Sequence, residues 1–153
     1  EDLNLSSTTV SDAVPERLKN CPEIRIVDFS RTRVTGKGFG TLKDVEELKL
    51  GIVRLREAAL TDDGMIGLSK VFSIEVLDLG LTPLTDTGIE NLKPLTRLRQ
   101  LDLEGCAKIT DKSIPILKGF KNLTLLNLEG TGITSDGAKQ LKTDLPDCEI
   151  RGK

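Results

Sequence analysis

The chain has no histidine, tryptophan or tyrosine, and its only aromatics are four phenylalanines. Without histidine there is no Ser-His-Asp or Cys-His pair, no His-ligated metal and no imidazole pH switch. Excess charge of one sign is also missing. Lys and Arg total 22 and Asp and Glu 24, a net charge of −2, which argues against a nucleic-acid partner held by bulk charge. No apolar run approaches the ~18 residues of a membrane span. Three cysteines cannot form a full disulfide framework, and Cys21, Cys106 and Cys148 share no C-x-x-C spacing, so all three are expected to be small buried apolar side chains. With few aromatics, the 25 leucines must build the core, as in a chain that repeats one small unit.

The repeat is explicit. Leu98-Arg99-Gln100-Leu101-Asp102-Leu103 is followed by Cys106 and Ile109-Thr110-Asp111, and Leu123-Thr124-Leu125-Leu126-Asn127-Leu128 by Thr131 and Ile133-Thr134-Ser135. Ile74 through Leu79 precede Thr82 and Leu84-Thr85-Asp86 in the same way. The last apolar residue of the L-x-L element is placed at Leu5, Phe29, Leu50, Leu79, Leu103 and Leu128, with steps of 24, 21, 29, 24 and 25 residues. A second ladder starts at Thr35, Thr61, Thr85, Thr110 and Thr134. Four residues on stand Phe39, Met65, Ile89, Ile114 and Ala138, and seven on stand Leu42, Leu68, Leu92, Leu117 and Leu141, which is helical spacing.

Each unit therefore reads as a short strand, a turn and a helix. Period-two alternation turns both strand leucines inward. The threonine caps the helix and the following Asp complements its positive end. The same reading makes Asp62-Asp63 a capping pair rather than a cation site. Gly36-Lys37-Gly38-Phe39-Gly40-Thr41 lacks the P-loop spacing and opens a repeat helix. One unit cannot bury its own apolar face, but stacked units can. The slot three residues after the last strand leucine carries Thr8, Thr32, Val53, Thr82, Cys106 and Thr131, side chains suited to satisfying turn backbone groups.

On these motifs, and above all on Leu98 through Asp111, the chain resembles the cysteine-containing subclass of leucine-rich repeats. That subclass is found in F-box proteins and in many bacterial proteins, and Leu145-Pro146-Asp147-Cys148-Glu149-Ile150 is similar to the closing segment of planctomycete-like examples. The resemblance implies an α/β fold: a right-handed solenoid with a parallel sheet on the concave face and helices on the convex face. It is expected to form one domain over residues 1–153, of about six repeats. A unit is already running at Leu3 with no polar cap before it, so the expectation is a fragment of a longer solenoid.

The function expected is a non-catalytic protein-interaction scaffold. The alternatives are a substrate-recruiting module of a larger enzyme complex, as F-box resemblance would imply, or a cell-surface ligand-binding module. The concave face is expected to present Asp28, Glu47, Lys49, Val76, Asp78, Leu81, Gln100, Asp102, Glu104, Asn127 and Glu129, a mostly acidic surface favouring a protein or peptide with basic residues. The segment between Leu50 and Leu60 reads as a five-residue insertion carrying Arg54 and Arg56 on a loop. No catalytic residue, metal or cofactor is expected, and the compartment stays open.

Overall fold

The computed structural model describes residues 1–43, 45 and 47–152. Seven three-residue strands form a single parallel sheet in chain order: β1 (Asp2–Asn4), β2 (Ile26–Asp28), β3 (Ile52–Arg54), β4 (Val76–Asp78), β5 (Gln100–Asp102), β6 (Leu125–Asn127) and β7 (Glu149–Arg151). In every strand the middle residue turns into the core. Val27, Val53, Leu77, Leu101 and Leu126 are essentially inaccessible, while Leu3 on the edge strand is half-buried. The residues on either side of each middle one face the concave surface.

Helices return the chain across the other face. They are α1 (Asp62–Leu68), α2 (Asp86–Glu90), α3 (Ile114–Leu117, entered through a 3-10 turn at Asp111–Ser113) and α4 (Ser135–Asp144). The first two units make 3-10 helices instead, Pro15–Asn20 and Lys37–Leu42. Proline and three glycines there weaken the regular helix. The helical ladder is buried as its spacing predicts, from Phe39 and Leu42 through Ala138 and Leu141. Pro115 lies in the first turn of α3, where its missing amide costs nothing.

The third strand corrects the sequence register. Val53 pairs with Val27 and Leu77, so the last strand leucine of this unit is Leu55, not Leu50. Leu50 is buried, but at the end of the preceding return segment, the position Ile74 holds one unit later. Successive middle residues are then 24, 26, 24, 24, 25 and 24 apart, so the array is nearly regular. The largest irregularity is two extra residues between Leu42 and Leu50: the middle strand residue lies nine after the helix leucine in the other units and eleven after it here. The five-residue insertion at 51–59 does not exist. The slot beneath the turn in this unit belongs to Ala58, not Val53. In the others the side chain bonds as its chemistry suggests: Thr8, Thr32, Thr82 and Thr131 each donate to the carbonyl three residues back at 2.6–2.7 Å. Cys106 Sγ instead reaches Leu79 O in the preceding unit at 3.2 Å. Cys106 and Cys148 are buried, but Cys21 is exposed, because its return segment starts on the open end of the array.

The aspartate of the T-D element does more than cap its own helix. Asp62 accepts from the amide and hydroxyl of Thr85 in the next unit at 3.0 and 2.6 Å. Asp86 does the same to Thr110 at 2.8 and 2.7 Å, and Asp111 to Thr134 at 2.8 Å each. Asp12 binds Thr35 at 3.1 and 2.6 Å and also takes the amides of Gly36 and Gly38. Each carboxylate thus ties one helix start to the next. The glycine of T-D-x-G leaves room for it: a Cβ on Gly88 would lie 2.5 Å from Asp62 Oδ1, and one on Gly137 2.4 Å from Asp111 Oδ1. Two units lack this aspartate, the last, with Ser135, and the second. Gly36 stands where the second unit would carry its aspartate, and backbone meets backbone instead, so that a Cβ on Gly64 would lie 1.8 Å from Thr35 O.

Candidate functional site

The strand ends build the concave face. At most central-column positions an Asp or Asn folds back on the backbone. Asp28 Oδ1 accepts from Ser30 N at 2.9 Å, Asp78 from Gly80 N at 2.9 Å, Asp102 from Glu104 N at 2.8 Å and Asn127 from Glu129 N at 3.1 Å. Part of the acidic character therefore closes turns. The residue three after the central-column one is left-handed in the first six units: Ser7, Arg31, Glu57 and Leu81 at φ 56–58°, then Gly105 and Gly130. That conformation lets its amide reach the following unit, as Leu81 N does to Glu104 O at 2.6 Å. Leu81 is 49% exposed, and its side chain covers Gly105.

The corrected register moves two groups of candidates. Glu47 and Lys49 leave the concave face for the flank at the entry ends of the strands, where Lys49 Nζ pairs with Glu23 at 2.9 Å. Arg54 and Arg56, expected on a loop, take their places on the sheet. The signal that could have placed them is the threonine ladder: the last strand leucine lies six residues before Thr35, Thr85 and Thr134, and six before Thr61 is Leu55.

Arg56 reaches across the two following units. Its Nε lies 3.4 Å from Asp78 Oδ2, and its Nη2 lies 3.4 Å from Asp102 Oδ2 and 2.8 Å from Glu104 Oε2. Lost hydration would lower its proton affinity, but Glu104, Asp78 and Asp102 outweigh that and hold the guanidinium above its ordinary range. Gly80 makes the reach possible, since a Cβ there would stand 2.7 Å from the guanidinium carbon. Asp78 and Asp102 are thus committed twice, to a turn amide and to Arg56.

Arg54 is different. It sits in register between Asp28 and Asp78, is exposed, and makes no ion pair among the described residues. In the adjacent column Ile26, Ile52 and Val76 lie side by side on β2, β3 and β4, all half-buried. Gln100 and Leu125 continue that column. The structure therefore brings Asp28, Val76, Asp78, Gln100, Asp102, Glu104, Asn127 and Glu129 onto one face with Leu81 at its rim, and adds Ile26, Ile52, Arg54 and Arg56. Among the described residues no cluster of three or more His, Cys, Asp or Glu side chains could hold a metal, and no helix is long and apolar enough to cross a membrane.

The comparisons agree with this architecture. Residues 72–93 and 121–142 match the family model described as Leucine Rich repeat. No protein with a curated description matches the chain. Among solved structures, an internalin from Listeria monocytogenes superposes with a TM-score of 0.68 at 15% identity, over 98% of this chain and 46% of that one. A leucine-rich-repeat protein of Leptospira interrogans gives a TM-score of 0.67 at 19% identity, over 97% of this chain and 36% of that one. The chain thus spans under half the length of either, and at these identities the likeness is one of fold. Ladder, sheet and likeness lead to the same conclusion: this chain folds as an α/β leucine-rich-repeat solenoid with its strands on the inner face.

Proposed function

We propose that the chain is a non-catalytic protein-interaction scaffold that docks its partner on the concave sheet across β2–β5. The observation that carries this is the row Ile26, Ile52 and Val76 lying against the unpaired Arg54. It is an apolar centre with one cation, set beside Asp78 and Asp102, whose carboxylates are internally committed. A parallel sheet holds that arrangement rigid, so little conformational entropy is lost on docking. Leu81 at the rim supplies further apolar area.

The partner's charge follows from the same arrangement. A carboxylate suits Arg54. A basic group suits the β5–β6 side, where Glu129 makes no ion pair among the described residues and Glu104 shares only Arg56. The partner preferred is a protein or peptide surface with split charge rather than a uniformly basic one. A reaction of its own has little support. The chain lacks histidine, and burial pushes the thiols of Cys106 and Cys148 up, away from the thiolate a nucleophile needs.

The test is affinity capture with three baits: wild type, Arg54→Glu with Ile52→Ser, and Gln100→Arg. Proteins held by wild type should be lost from the double variant and weakened by the third bait, while all three baits melt alike. Retention of every captured protein by the double variant would reject the concave site.

A further inference from the structure

A second surface lies on the flank at the entry ends of the strands, away from the concave face. Between the second and third units a cavity of about 330 Å³ opens there, with Leu42, Val45 and Leu48 on one wall and Phe72, Lys70 and Arg97 on the other. It coincides with the array's largest irregularity, the two extra residues between Leu42 and Leu50.

The repeats serve as internal controls for these side chains. Phe72 directly follows the core residue Val71, and the same sequence slot holds Pro22, Glu46, Thr96, Lys121 and Pro146 in the other units. The slot thus has no structural need for an aromatic. Phe29, Phe39 and Phe120 are buried, whereas Phe72 is 54% exposed. Nearby cations on this flank are matched, Lys49 by Glu23 and Arg99 by Glu75. Lys70 and Arg97 are exposed and make no ion pair among the described residues. An exposed aromatic beside a hollow, bordered by unpaired cations, is the composition of an interface anchor.

We propose that this flank cavity is a second docking site, and that its occupant is an extended protein segment bearing an apolar side chain flanked by carboxylates. The apolar side chain fills the space between Phe72 and the side chains of Val45 and Leu48. The carboxylates meet Lys70 and Arg97, and this charge complementarity sets the occupant's chemistry.

The experiment uses a displayed library of random peptides, selected on wild type and counter-selected on Lys70→Glu with Arg97→Glu. Enriched peptides should place Asp or Glu beside Leu, Ile or Phe. Their affinity should fall at least about tenfold in Phe72→Thr, which installs the residue the next unit carries, and should fall with added salt. Arg54→Glu on the concave face should leave them bound, which separates this site from the scaffold reading. Any of four results overturns the proposal: no enrichment over the double variant, enriched peptides without acidic residues, loss of binding in Arg54→Glu, or self-association that Phe72→Thr abolishes, which would assign the surface to a second copy. Thermal melts matching wild type confirm that each exposed substitution leaves the fold intact, and Lys70→Gln with Arg97→Gln repeats the test without charge reversal.

Discussion

Replacing Asp86 with alanine cuts one tie between neighbouring units. The carboxylate accepts three hydrogen bonds from the following unit: the Thr110 amide at 2.8 Å, the Thr110 hydroxyl at 2.7 Å, and the hydroxyl of the inaccessible Ser113. A hydrogen bond to a charged group is worth about 1.5–3 kcal/mol, but water can resolvate Thr110 around the half-buried site. The net loss is then about 2–3 kcal/mol, most of it from stranding Ser113. Asp86→Asn keeps the shape and should cost about 1 kcal/mol.

Acid gives a second readout of the same carboxylate. Burial alone would raise its pKa, but the Ser113 hydroxyl and then the amide and hydroxyl of Thr110 outweigh that and hold it below the ordinary carboxylate value. The unfolded chain therefore binds the proton first as pH falls. The stabilisation is complete above the unfolded value and is lost as pH drops through the lower native one. Urea melts at neutral pH and down through the acid range should show the gap between wild type and Asp86→Asn narrowing only below the ordinary carboxylate range. An alanine variant within about 0.5 kcal/mol of wild type, or a gap that does not change with acid, would refute the assigned tie.

Three further outcomes follow from other sites. Gly80→Ala should displace Arg56 from its three carboxylates and cost about 1 kcal/mol, with Arg56→Ala adding almost nothing in that background; additive losses in a double-mutant cycle would contradict the contact. Leu101→Asp, which buries a charge with no partner at a position 1% exposed, should abolish the cooperative melt, and a near-wild-type transition would unseat the strand register. A thiol reagent should label Cys21 in the native protein and reach Cys106 and Cys148 only in denaturant, with three fast-reacting thiols in the native state as the contrary result.

Much of this architecture can be read from periodicity alone, because Leu77-Asp78-Leu79, Leu101-Asp102-Leu103 and Leu126-Asn127-Leu128 alternate about a polar residue and repeat at almost constant spacing. The third strand misleads because Leu48-x-Leu50 and Val53-x-Leu55 both satisfy the alternation. Only the distance back from Thr61 chooses between them. Choosing wrongly puts Glu47 and Lys49 on the binding face and exiles Arg54 and Arg56 from it, so one local ambiguity replaces two cations by a net-neutral pair at the centre of the candidate site. The ties from Asp62, Asp86 and Asp111 are hidden for another reason. Along the chain each looks like the acidic residue of its own helix start, and its bond to the next threonine exists only once units are stacked. Cys21 fails in the same way, since its exposure depends on which neighbour lies over it.

The seam where Gly36 faces Gly64 bears on how such an array could be recombined. Asp12, Asp62, Asp86 and Asp111 each fasten to the threonine of the next unit, so the join is alike at these four boundaries, and a unit could be spliced in or out there with both halves of the fastening supplied. Between the second and third units that fastening is missing. A Cβ on Gly36 would lie 2.8 Å from Gly64 O, and one on Gly67 2.7 Å from Gly36 O. These two units fit only each other, and an engineered or evolved lengthening of the solenoid would have to keep them as an inseparable pair.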